Sequence, residues 1–220
     1  MSAFLGHIHF WLYSKIQLVN ERETLLFHQA SEVCGDTAEE LRSLVWQAYG
    51  TPPGDTPLED LIDTSNIHGW LQRQIHLAQS REAAFIKELL DSCDNASEWI
   101  QACFAEHGEA CGNAAKLAGK YDTASAEGIF TALSDYRLNG MPCDQSDELV
   151  EESAASVIWQ SAENLAEVNW KRAGIAVNVM DGFYEVWLNA FVKAMNPAFT
   201  CRQTARKTDG QSVDRFEIAK

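Results

Sequence analysis

The 220-residue sequence lacks most of the short motifs that announce a reaction. It has no G-x-S-x-G, no P-loop and no G-x-G-x-x-G, so serine-hydrolase, nucleotide-kinase and dinucleotide-dependent chemistries have no support. H-E-x-x-H is missing, as is the Glu-x-x-His spacing of di-iron carboxylate bundles. No C-x-x-C occurs, which removes a zinc ribbon or a thioredoxin-type redox pair. No window of ~18 apolar residues exists to span a membrane. Basic residues are scarce: 17 Lys+Arg stand against 32 Asp+Glu, a net charge of −15. Phosphate binding needs a basic face, so nucleic acid and anionic membrane are expected non-partners.

What is present suits a packed domain. Hydrophobic residues make up 46% of the chain, enough to bury a core. The opening "MSAFLGHIHFWLYSK" lacks a basic n-region, and histidines break its apolar run, so the expected compartment is cytoplasmic. The six cysteines (34, 93, 103, 111, 143 and 201) are accordingly expected as thiols. Cys143, in a turn after "GMP", reads as packing sooner than as a nucleophile.

Stepping by four and three from Leu5 meets His9, Leu12, Ile16, Val19, Glu23, Leu26, Ala30 and Val33. That is the seam of a packed helix, interrupted only at His9 and Glu23. Cys34-Gly35 stops it, and a second helix runs to Tyr49-Gly50. "TPPGDTP" breaks the chain. Helices resume from about Asn66 to Ser92 and from "DNASEW" to Lys116.

The third helix repeats the first at an offset of 59. "IHFWLYSKIQLVNERE" lies over "IHGWLQRQIHLAQSRE", and from Ile8 to Cys34 nine of 27 positions are identical. Chance gives about two. The reading is a duplicated helical hairpin, with pseudo-repeats at about 5–50 and 64–117, forming a four-helix bundle over 1–118. A smaller α+β unit is expected over 119–220. It contains a helix in "DTASAEGIFTALSDYRLNG", a strand within Ser153–Ser161 and a helix whose aromatic face carries Phe183, Trp187, Phe191 and Met195. A hairpin around Asp209-Gly210 follows. The two units are expected to be separate domains or to pack as one.

Both repeats place a histidine and a glutamate on the apolar seam: His9 and Glu23, His68 and Glu82. A carboxylate there is costly unless it is paired, hydrogen-bonded or metal-bound. Within one helix the two groups lie about 21 Å apart, so a shared metal needs both helices. Antiparallel packing pairs each His with the other Glu. Parallel packing sets His9 against His68 and Glu23 against Glu82, and would bring His107 of "AEHGEAC" near the histidines. Imidazole with carboxylate suits Fe, Zn or Mn. The expected metal ligands are therefore His9, Glu23, His68, Glu82 and His107. Against that stand helix-capping histidines and Arg22-Glu23 and Arg81-Glu82 ion pairs. Both His9 and His68 are expected to be buried, His28 and His76 to lie on the surface, and His7 to be an exposed end residue.

The functional expectation is a metal-binding helical protein, with a metal-dependent enzyme or oxidoreductase acting on a small molecule as its strongest form. The alternative is a non-catalytic small-molecule binding or sensor module, with a pocket between the bundle and the aromatic helix. A third class is an interaction protein using its acidic surface. Homo-oligomerisation is left open.

Overall fold

A computed structural model describes residues 5–161, 163–206 and 213–220. The chain forms two compact units, Met1–Ala96 with Ala166–Ile175, and Ser97–Leu165 with Ala176–Lys220. This division differs from the boundary expected at 118. The helix after "DN" clusters with the second unit, and a short segment of the second half returns to the first.

The first unit is helical: α1 (His7–Cys34), α2 (Asp36–Tyr49), α3 (Leu58–Leu61), α4 (Ile67–Ser92) and the returning α7 (Glu167–Ala173). The seam residues explain why α1 and α4 pair. Leu12, Ile16, Val19, Leu26 and Ala30 are buried on α1, and Leu71, Ile75, Ala78, Phe85 and Leu89 on α4. The seam of α1 ends sooner than its period suggests, because Val33 is 47% exposed. Gly35 turns the chain into α2 with φ +59, a conformation that costs glycine little. Asn66 caps α4 by accepting the Gly69 N–H at 3.1 Å. Any side chain at Gly69 would collide with that cap.

α7 was not foreseen, since seven residues give no readable period. It is held on α4 by polar groups. Asn169, fully buried, donates to Gln79 Oε1 at 2.8 Å, and its Oδ1 lies 3.1 Å from His76 Nδ1. Gln72 Nε2 completes the chain at 3.1 Å from His76 Nε2. His76 is thus half-buried and bonded on both nitrogens, which corrects the surface position expected for it. His28 is exposed, as expected.

The second unit contains α5 (Ala96–Leu117), α6 (Ala126–Tyr136), α8 (Val177–Met195) and a four-stranded antiparallel sheet. Its strands are β1 (Asp147–Glu152), β2 (Ser156–Ser161), β3 (Thr200–Ala205) and β4 (Asp214–Ala219), in the order β1-β2-β4-β3. Period-two alternation buries Val157, Trp159 and Ser161 of β2, and Trp159 stacks on Phe216 at 5.2 Å. The edge strand β1, "DELVEE", buries none of its residues. Its acidic side chains protect an open edge, and they also hide it from a search for apolar alternation. β3 and β4 pair as the expected hairpin. Its turn at Asp209-Gly210 lies outside the described residues.

α8 shows the expected aromatic face, with Phe183, Trp187, Phe191 and Met195 all at most 2% exposed. Phe104 of α5 stacks on Phe183, and Tyr136 of α6 meets Phe191. Gly108 and Gly112 let α5 approach the α8 backbone. A Cβ on Gly108 would lie 2.5 Å from the Trp187 carbonyl oxygen, and one on Gly112 would lie 2.8 Å from the Ala194 Cβ.

Candidate functional site

α1 and α4 run side by side in the same direction. At their starts the His9 and His68 ring centroids are 5.7 Å apart. Midway, Arg22 Nε donates to Glu82 Oε1 at 2.6 Å, and Arg81 Nε donates to Glu23 Oε2 at 2.5 Å. At their ends Cys34 and Cys93 form a disulfide with a Cα–Cα distance of 6.1 Å and a sequence separation of 59. Residues about 59 apart in sequence therefore face one another along the interface, which is the parallel arrangement.

The middle of this interface is a buried charge cluster. All four side chains are at most 3% exposed. Trp46 of α2 donates its Nε1–H to Glu23 Oε1 at 2.9 Å, and Arg81 also donates to Asn20 Oδ1 at 2.5 Å. Both oxygens of Glu23 are thus occupied by donors. Burial pushes the Glu23 carboxyl above its ordinary value; the Arg81 charge and the bonds from Trp46 and Arg81 oppose that shift, and the Glu82 charge adds to it. Two guanidinium and two carboxylate groups balance in charge, as a low-dielectric interior demands. Their chemistry is mutual recognition: each arginine donates its Nε–H to a carboxylate on the other helix.

The five expected ligands fall in three places. Glu23 and Glu82 sit in the charge cluster, where a divalent ion would face two guanidinium groups already bonded to those carboxylates. His9 and His68 lie together but are less buried than expected, His9 half-buried and His68 exposed. In the first turns of the two helices only Ile67 is buried, so a seam position there need not be a core position. His9 Nδ1 accepts the Gly6 N–H at 3.0 Å, closing the start of α1. A neutral imidazole has one lone pair, and this bond uses it. His107 is buried in the second unit, where its Nδ1 accepts the Trp187 Nε1–H at 2.8 Å with Cys111 Sγ 3.7 Å away. Among the described residues no group of three or more His, Cys, Asp or Glu is arranged to hold a metal ion.

The disulfide overturns the expectation of six thiols. Cys103, Cys111, Cys143 and Cys201 remain thiols, with Cys143 exposed. Burial raises Cys103 to about 11 and Cys201 to about 12, so neither is a reactive thiolate at neutral pH. The signal for the cross-link was in the sequence: Cys34 and Cys93 stand at the same offset as the shared Arg-Glu pairs. Trp46, Asn20, Gln79 and Asn169 carried no comparable signal, since each acts through a contact distant in sequence.

Among the described residues no helix is long and apolar enough to cross a membrane. No family model, curated protein or solved structure matches this chain.

Proposed function

We propose that this chain is a non-catalytic sensor module, in which the polar residues of the α1–α4 seam hold two parallel helices in one register. The observation that carries this reading is the reciprocal bonding of Arg22 to Glu82 and Arg81 to Glu23, which consumes the carboxylates a reaction centre would need. Buried ionic groups add little net stability but are well suited to specifying register. A signal is then carried by how the two helices are held together. The nine identities at offset 59, and a disulfide at the same offset, support an origin of α1 and α4 by internal duplication with local pseudo-two-fold symmetry.

A second reading keeps a transition metal (Fe, Zn or Mn) at His9 and His68, favoured by the 5.7 Å separation of their rings. Two imidazoles on one tetrahedral ion have ring centres roughly 5 Å apart, from metal–nitrogen bonds of about 2 Å. That site needs further donors from water or substrate, and release of His9 from Gly6.

Metal analysis of protein purified without chelators separates the two. The sensor reading expects far less than one Fe, Zn or Mn per chain, unchanged in His9→Ala and His68→Ala. Stoichiometric metal that disappears in both variants would overturn it in favour of the metal reading.

A further inference from the structure

We propose that Cys34–Cys93 is a reversible cross-link, opened by a thiol reductant while the chain stays folded, that controls the C-terminal ends of α1 and α4. This rests on the sensor reading above and names the signal it responds to.

Cys34 is the last residue of α1, and Cys93 follows the last residue of α4. The cross-link therefore ties two helix ends and leaves the core between them untouched. Eleven residues upstream, the buried pairs of Arg22, Glu23, Arg81 and Glu82 hold the register without it. Beyond Ala30 the α1 seam stops burying side chains, since Val33 is exposed. The last turn of α1 is accordingly a low-stability segment that the disulfide pins.

Access is one-sided. Cys34 is half-exposed and Cys93 is 9% exposed, so an incoming thiolate reaches the Cys34 sulfur and expels the Cys93 thiolate inward. The first step forms a mixed disulfide between the reductant and Cys34. A second reductant thiol then displaces Cys34. The two cysteines end as thiols carrying two electrons and two protons, and the reductant ends as its disulfide.

The surroundings set which reductant acts. Both sulfurs sit at helix C-termini with no basic residue in the last turn; the α2 N-terminus that follows Cys34 opposes their partial negative charge, and Asp36 and Glu39 in its first turn offset it. Glu32, Asp36 and Asp94 lie within two residues of the cysteines; Asp91 is paired with Lys87. This field disfavours an approaching thiolate on an anionic molecule and favours one on a cationic molecule.

The experiment uses the whole chain at neutral pH. The protein is equilibrated with increasing dithiothreitol, alkylated and digested, with helicity followed in parallel by circular dichroism. Cys34 and Cys93 are expected to become alkylated together, at unchanged helicity, and to re-form the disulfide on oxidation. Exposed Cys143 reacts throughout and reports reagent activity. Hydrogen exchange should quicken about tenfold or more in residues 30–37 and 90–95, with Glu23 and Glu82 amides unchanged. Initial reduction by monothiols should rank cysteamine above mercaptoethanol above mercaptopropionate, each corrected for its thiolate fraction. Cys34→Ser should show the fast exchange without reductant; if it does not fold, Cys93→Ser serves. Reduction that occurs only with loss of helicity, or exchange unchanged by reduction, overturns the proposal. Neither outcome touches the metal analysis, so the two readings fail separately.

Discussion

Arg22 is bonded to Glu82, 60 residues on, and Arg81 returns the bond to Glu23 across 58 residues. Two identical dipeptides thus lock two helices by exchanging partners. The arrangement works only if α1 and α4 run parallel and in register. A one-residue slip would rotate the arginines about 100° off the seam.

Breaking one partner of this exchange is expected to cost about 3–5 kcal/mol, because a buried charge is left uncompensated. Arg22→Met alone or Glu82→Leu alone should show it in urea denaturation. The double replacement Arg22→Met with Glu82→Leu should recover most of that loss or exceed wild type, since an apolar pair has no desolvation cost. Equal losses in the singles and the double would mean that packing around the side chains matters and the charges do not.

The raised carboxyl of Glu23 gives a pH dependence of definite sign. Its native value lies above the ordinary 4.5, so between those two values the folded chain holds the proton more than the unfolded chain does. Stability assignable to Glu23 is therefore full below 4.5 and is lost as pH rises through the native value. Glu23→Gln should remove this downward slope while keeping a neutral partner for Trp46. Denaturation midpoints across weakly acidic pH test it; a variant whose slope matches wild type refutes it.

The seams of α1 and α4 were legible because long helices with buried faces print a 3.5-residue period on the sequence, and the aromatic face of α8 was legible for the same reason. β2 was legible from its β-branched residues and flanking serines. β1 was not, because an edge strand that buries nothing has no apolar alternation to show. α7 was too short for a period, and its anchoring by Asn169 to His76 and Gln79 spans about 90 residues of chain. Of the candidate site, the polar positions on the seam could be read, but not their pairing. An Arg-Glu dipeptide looks like a local ion pair until the direction of the partner helix is known. His9 and His68 misled because a seam position in the first turn of a helix need not be buried.

The close approach of α5 to α8 depends on Gly108 and Gly112. A methyl group at Gly108 would press on the Trp187 carbonyl oxygen at 2.5 Å, and backbone cannot move aside as a flexible side chain can. Gly108→Ala and Gly112→Ala are each expected to destabilise by about 1–3 kcal/mol, although alanine favours helix elsewhere. Gly182→Ala on α8, where an added Cβ meets nothing within 4 Å, should instead be neutral or stabilising. Thermal denaturation of the three variants tests the contrast, and a loss at Gly182 equal to that at Gly108 would contradict it.

Opening the Cys34–Cys93 bond should cost stability even though the fold survives it. The two cysteines are 59 residues apart, and closing a loop of that length in the unfolded chain corresponds to about 4 kcal/mol. The native core does not depend on the bond, so the cost arises mainly from the larger freedom of the reduced unfolded chain. Urea unfolding of oxidised and reduced protein should therefore give a lower midpoint for the reduced form. Its slope should be steeper, because the reduced unfolded chain exposes more surface. Cys34→Ser with Cys93→Ser should match reduced wild type in both quantities and should not respond to reductant. If the double variant were as stable as the oxidised protein, the loop would add nothing and residual structure in the unfolded chain would already hold α1 and α4 together.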